Sequence, residues 1–128
     1  MQITPKNPRD GIYAATPDYV HAVEVSGVQR LLFVSGTMGL DIDGRAPPSL
    51  DEQLSLIWAN LRRILAEAGM TVDNIVRLIS YMRDTAYAEA NQNARVRALG
   101  GRAIPTTAIV VQTLTPDWLV EIEVIAAA

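Results

Sequence analysis

The chain has 128 residues, 49% of them hydrophobic and 20% charged, the proportions of a globular chain with one core of its own. Its 11 Lys and Arg residues face 14 Asp and Glu residues, for a formal net charge of −3, and no basic run stands out; this disfavours a nucleic-acid partner. There is no cysteine and a single histidine, His21, which excludes disulfides, thiolate zinc sites, a thiol nucleophile and a multi-histidine metal centre.

The opening MQITPKNPRDG lacks the apolar stretch of a secretory leader. No apolar run approaches the roughly 18–20 residues of a membrane helix. A cytoplasmic protein with no membrane partner is expected, as one domain over residues 1–128. Pro5, Pro8, Gly11 and Pro17 make the first segment an irregular arm, with one short strand near Gln2–Thr4. Tyr19–Ser26 alternates apolar and polar residues with period 2, which predicts a strand. Arg30–Ser35 is a continuous apolar run that predicts a strand buried on both faces, leaving at Ser35-Gly36. Asp43-Gly44 and Pro47-Pro48 mark the loop that follows.

Ser49 and Glu52 form an S-x-x-E capping box. Leu50, Leu54, Ile57, Leu61, Ile64, Leu65 and Ala68 then recur at helical spacing, so a helix over 50–68 is predicted, stopped by Gly69. Ile75–Met82 reads as a strand. Asp84 or Thr85 can cap a second helix over 85–99, ended by Gly100-Gly101, with a weaker stripe of Tyr87, Ala90, Ala94 and Ala98. Thr106–Leu114 and Trp118–Ala126 read as two closing strands. The order (β)ββαβαββ is that of an α+β fold with two helices on one face of the sheet. Several strands read as apolar on both sides. The uncovered face therefore predicts a homo-oligomer.

Candidate chemistry is sparse. Glu121 stands inside the apolar strand VEIEVIA, where desolvation would raise its pKa and suit it to proton transfer; the plainer alternative is a wet-side residue beside Glu123. Ser35-Gly36-Thr37 offers backbone N–H groups next to a glycine, or simply the way out of a strand. Asn91 is a binding residue or part of a solvated helix face. His21 reads as a strand-surface residue, and Thr106-Thr107 either as hydroxyls that bind a ligand or simply as good strand formers. Trp58 and Trp118 read as core or interface residues.

Four stretches, LLFVSGTMGLDIDG, LDEQLSLIWANLRRILAEAGMTVDNIVRLISYMRD, YAEANQNAR and VEIEVIA, resemble the Rid/YjgF family of reactive-intermediate deaminases, from about Tyr19 to the end of the chain. The resemblance implies a chorismate-mutase-like α+β fold, a homotrimer whose sheets form a central barrel, and small-molecule clefts between subunits. It implies hydrolysis of an enamine or imine to a keto acid and ammonia, with no metal or cofactor. Carried over residue by residue, Glu121 is the acid/base, and Tyr19, Ser35, Gly36 and Asn91 bind substrate, though the match at Tyr19 is loose. The family's carboxylate-binding Arg falls on Thr106 or Thr107, depending on the anchor, so it is missing here; a family aromatic is replaced by Ala94.

A hydrogen bond to a charged group is worth roughly 1.5–3 kcal/mol against about 1 kcal/mol for a neutral one. A divergent hydrolase or deaminase with a differently anchored ligand is therefore expected, with Arg102 as a possible substitute cation. A binding or regulatory trimer without turnover is the alternative. The endoribonuclease activity often attached to the family is disfavoured by the acidic charge.

Overall fold

Ser49 opens the longest helix of the computed structural model, which describes all residues from Met1 to Ala128. This helix, α1, runs over Leu50–Glu67, and the Ser49 hydroxyl accepts from the Glu52 backbone N–H at 3.3 Å. Only the Ser49 half of the expected box forms. A complete capping box stands instead at Thr71 and Asn74, around a 3₁₀ turn over Val72–Asn74. Gly69 ends α1 with φ +68°, the left-handed conformation a helix stop requires.

Six strands accompany this helix: β1 (Gln2–Pro5), β2 (Val23–Ser26), β3 (Leu31–Met38), β4 (Ile75–Met82), β5 (Thr106–Val110) and β6 (Val120–Ala127). The second helix, α2, spans Ala88–Ala98 after a 3₁₀ turn over Thr85–Tyr87 that Asp84 caps through the Ala86 N–H at 2.8 Å. A mixed sheet has the order β3-β6-β4-β5, with β4 and β5 parallel and the other pairs antiparallel. β1 and β2 form a separate antiparallel pair.

Three expectations are corrected. The strand predicted over Tyr19–Ser26 holds only from Val23, which pairs with Pro5 at the end of β1; one further hydrogen bond, from the Lys6 N–H to the Ala22 carbonyl at 2.9 Å, follows, and Tyr19 makes a lone bridge to Ile104. The strand predicted to leave at Ser35-Gly36 continues to Met38 through a bulge. Val34 pairs with Val124 and Thr37 with Ile122, so β3 carries one extra residue there. β5 stops at Val110 because its partner β4 ends at Met82, directly opposite.

α1 lies on β3 and β6 and closes the core. Ile57, Leu61 and Leu65 meet Leu78, Ile122 and Val124, all buried. Each such side chain contributes about 1.5–3 kcal/mol by leaving water. The helices cover one face of the four-stranded sheet. The other carries Leu31, Phe33 and Ile109 with 55%, 71% and 44% of their surface exposed.

Candidate functional site

Alternation along β6 sends Val120, Ile122, Val124 and Ala126 into the core and turns Glu121, Glu123 and Ile125 to the open face. Glu121 sits between Met38 of β3 and Tyr81 of β4. Burial raises its pKa above the ordinary carboxylate value, and the neighbouring Glu123 charge raises it further. The Tyr81 hydroxyl donates to Glu123 Oε1 at 2.7 Å, a bond that raises the Tyr81 pKa and occupies Glu123. Glu121 accepts no side-chain donor, which separates the two carboxylates chemically.

The β3 bulge supports Glu121 from the other side. The Glu121 carboxyl lies against the bare α-carbon of Gly36; a methyl group there would overlap it and stand 3.0 Å from Cδ. Ser35, on the same bulge, is exposed, and its carbonyl accepts from the Thr37 hydroxyl at 3.0 Å.

A second group gathers between α2 and the sheet edge. Asn91 is 2% exposed and Arg95, one turn later, 5%; burial rules out the solvated helix face for Asn91. Arg95 holds the loop before β2, donating to the Asp18 carbonyl at 2.8 Å and to the Asp18 carboxylate at 2.7 Å. Desolvation pushes the Asp18 pKa up, but hydrogen bonds from Thr16 and Arg95 outweigh it and hold the carboxyl below its ordinary value. Asn91, Arg95, Asp18, Tyr19 and Thr106 line a cavity of about 240 Å³. Asn91 Oδ1 is buried there without a hydrogen-bond partner, a free acceptor beside the cavity.

The two threonines diverge. Parallel pairing places Thr106 beside Leu78 and Thr107 beside Ile79, so they face opposite sides of the sheet. Thr106 turns to Asn91. Thr107 turns to the open face, where Arg77 Nη2 donates to its hydroxyl at 2.9 Å. Arg102 is not the substitute cation: it donates to the carbonyls of Val72 at 2.8 Å and Ile75 at 3.0 Å and so closes the turn before β4. Burial lowers its pKa, partly offset by Asp73. His21 also differs from expectation. It precedes β2, its Nε2 lies 2.8 Å from the Tyr13 carbonyl, and its ring stands edge-on to Tyr13 and Tyr19.

The structure thus brings Glu121 together with Gly36, and Tyr19 with Asn91 and Thr106, while Thr107 stands with Arg77. Tyr19 and both threonines line one further cleft of about 630 Å³, with Tyr13, His21 and Arg77. Sequence reading missed Arg77, Tyr81 and Tyr13. The first two had a signal: in IVRLISYM, Arg77, Ile79 and Tyr81 alternate with Leu78, Ser80 and Met82, which assigns them to the face opposite the core.

Fold and clefts together define a small α+β protein whose polar side chains converge in ligand-sized spaces along a sheet left open on one side. The chain belongs to the Rid/YjgF family: the family described as endoribonuclease L-PSP matches it over residues 11–128. It is similar to the RutC family protein YjgH of Escherichia coli, at 43% identity over 54 residues, 42% of this chain and 41% of that protein. The chain spans about half the length of the curated relatives it matches. Among solved structures, a Yersinia pestis protein of the Rid family, YyfB, superposes with a TM-score of 0.85 at 29% identity over 100% of both chains. The YJGH structure superposes at 0.70 with 32% identity, over 99% of this chain and 95% of the other. The mixed α+β fold with two helices agrees with these relatives.

Proposed function

We propose that this protein is a divergent hydrolase or deaminase of its family, acting on a small enamine, imine or related carbonyl compound. Family membership supports a small-molecule deaminase or a related role. The observation that carries the finer reading is the Glu121 carboxyl, raised in pKa and lying against Gly36 without a side-chain donor. A carboxyl group shifted this way holds its proton to higher pH than a free one, which suits it to proton transfer. As an acid it protonates the enamine β-carbon, which leaves an iminium ion. As a carboxylate it takes a proton from the water that adds to the iminium carbon. The C–N bond of the resulting neutral carbinolamine then breaks as its hydroxyl proton passes to the nitrogen, ammonia leaves, and the carbonyl product remains. Tyr19, Ser35, Gly36, Asn91, Thr106 and Thr107 serve as binding residues in this reading.

The protomer acts as part of a homo-oligomer, a trimer whose sheets form a barrel. Phe33 and Leu31, exposed side by side on the open face, support burial of that surface against further copies. The test is ammonia release from freshly generated imino acids, with wild type beside Glu121→Ala and the assembly state measured by light scattering. Turnover lost in the variant supports the reading. Turnover unchanged in a folded variant removes Glu121 from it.

A binding protein without turnover is the second reading, and the threonines in place of the family's Arg favour it. It predicts saturable ligand binding with no ammonia release from any imine. An RNA-cleaving role is opposed by the net charge of −3.

A further inference from the structure

We infer that Arg77 and Thr107 form the anion-binding end of the 630 Å³ cleft, and that the cleft takes a small carboxylate with an apolar or aromatic body. This rests on the proposed function for the place of the site, not for turnover. Arg77 rises from β4 on the open face and is half-buried. Its only firm hydrogen bond goes to the Thr107 hydroxyl at 2.9 Å; the contact to the Leu78 carbonyl is long, at 3.4 Å. The two ion pairs of the chain, Arg63–Glu67 and Arg95–Asp18, leave Arg77 without a carboxylate. A guanidinium carries five N–H donors. Most of those on Arg77 remain free on the wall of the cleft.

Thr107 completes the geometry. Its hydroxyl accepts from Arg77 and keeps its own proton, so the pair presents donors and no acceptor that would repel an anion. Thr107 stands opposite Ile79, two residues beyond Arg77 on the same face, which lets β5 steady a side chain of β4. The rest of the cleft is aromatic and apolar. Tyr13 and Tyr19 bracket His21 edge-on, with ring centroids 5.0 and 5.9 Å away, and Val76 and Ile125 belong to the same lining. A charged end beside an apolar wall selects an amphipathic acid over a bare inorganic anion.

Calorimetric titration with 3-phenylpropionate and its neutral amide tests this on the full chain. The wild type is expected to bind the carboxylate roughly 10- to 100-fold more tightly than the amide, the range set by a charge-assisted hydrogen bond. Arg77→Gln is expected to abolish that preference, Arg77→Lys to retain part of it, and Thr107→Val to weaken carboxylate binding with the fold intact by circular dichroism. Equal binding of acid and amide, binding of neither, or a preference that survives Arg77→Gln overturns the inference. Absence of ammonia release alongside a carboxylate preference that depends on Arg77 removes the catalytic reading and leaves this one standing.

Discussion

On the helix side of β6, Val120, Ile122, Val124 and Ala126 are sealed from water; one residue out of step, Glu121, Glu123 and Ile125 remain half-exposed. The same strand thus serves two environments. The sealed face answers to volume and shape, since close packing leaves little room for change. The open face answers to charge and hydrogen bonding. It holds Glu121, Glu123, Tyr81 and Arg77 within one patch of β4 and β6. The contrast teaches that stability and chemistry are separated by a single step along the chain. A substitution at an even-numbered position of this strand should read out in unfolding, and one at Glu121 or Glu123 in ligand handling.

The strongest way to break that division is to empty the sealed face. Ile122→Ala, at a position with 0% exposure, is expected to cost about 2–5 kcal/mol in urea unfolding. A loss below about 1 kcal/mol would mean the interior repacks freely. The next test sets two glycines against each other. A methyl group on Gly39 would overlap the backbone of Gln53 in α1, standing 2.6 Å from its Cα and 2.8 Å from its carbonyl carbon. The nearest atoms to a methyl group on Gly36 would be those of the movable Glu121 side chain. Gly39→Ala is therefore expected to destabilise by about 1–3 kcal/mol, as overpacking does. Gly36→Ala should keep the midpoint nearly unchanged while turnover falls with that of Glu121→Ala. Equal losses of stability in the two variants would erase the distinction.

Acidity sharpens the comparison further. The ordinary pKa of Glu121 is 4.5, and the folded value is raised by burial and then by Glu123. Between the two values the native state holds more protons than the unfolded chain, so stability falls as pH rises through that window. Glu121→Gln should gain on the wild type at about pH 8 and show no gain at about pH 3.5. Asp18 has the opposite sign. Its pKa lies below 3.8, so the stability it contributes is present above that value and is lost as pH falls through the lowered one. The smallest effect is expected of Tyr81→Phe, which removes the donor to Glu123. About 0.5–1.5 kcal/mol should be lost near neutral pH, as read from paired urea titrations.

Sequence reading reached the sealed face well, because burial imposes a period. The stripe from Leu50 to Leu65 predicted α1 to within a residue, and the run Ile75–Met82 has the observed bounds of β4. The losses lie where a partner strand decides the outcome. Tyr19 and Val20 are strand-like residues, yet the first strand runs out before reaching them and Tyr19 bridges to Ile104 instead. Val111 continues the apolar run, yet β4 ends at Met82, opposite Val110, and has no residue left to pair with it. The site was legible only in part. Glu121 stood out as a charge in an apolar strand. Arg77 did not, since nothing local shows that Thr107 comes to rest beside it across 30 positions of chain. Asn91 reads either as a binding residue or as part of a solvated helix face, since polarity commonly means exposure, and nothing local marks Arg95, which is buried through its bonds to the loop carrying Asp18.

Gly36 and Glu121 occupy one volume between them: the carboxyl fills the place where a side chain at position 36 would stand. A side chain at position 36 cannot enter while the acid keeps its place. A lineage that gave up the acid would be released to accept alanine or serine at position 36, and one that first acquired such a side chain would already have evicted its acid. Across descendants of a common ancestor, the two positions should therefore be inherited as a couple, gained and lost in step. A glycine retained on this bulge then serves as a fossil of the chemistry opposite it, recognisable in genomes where no reaction has been measured.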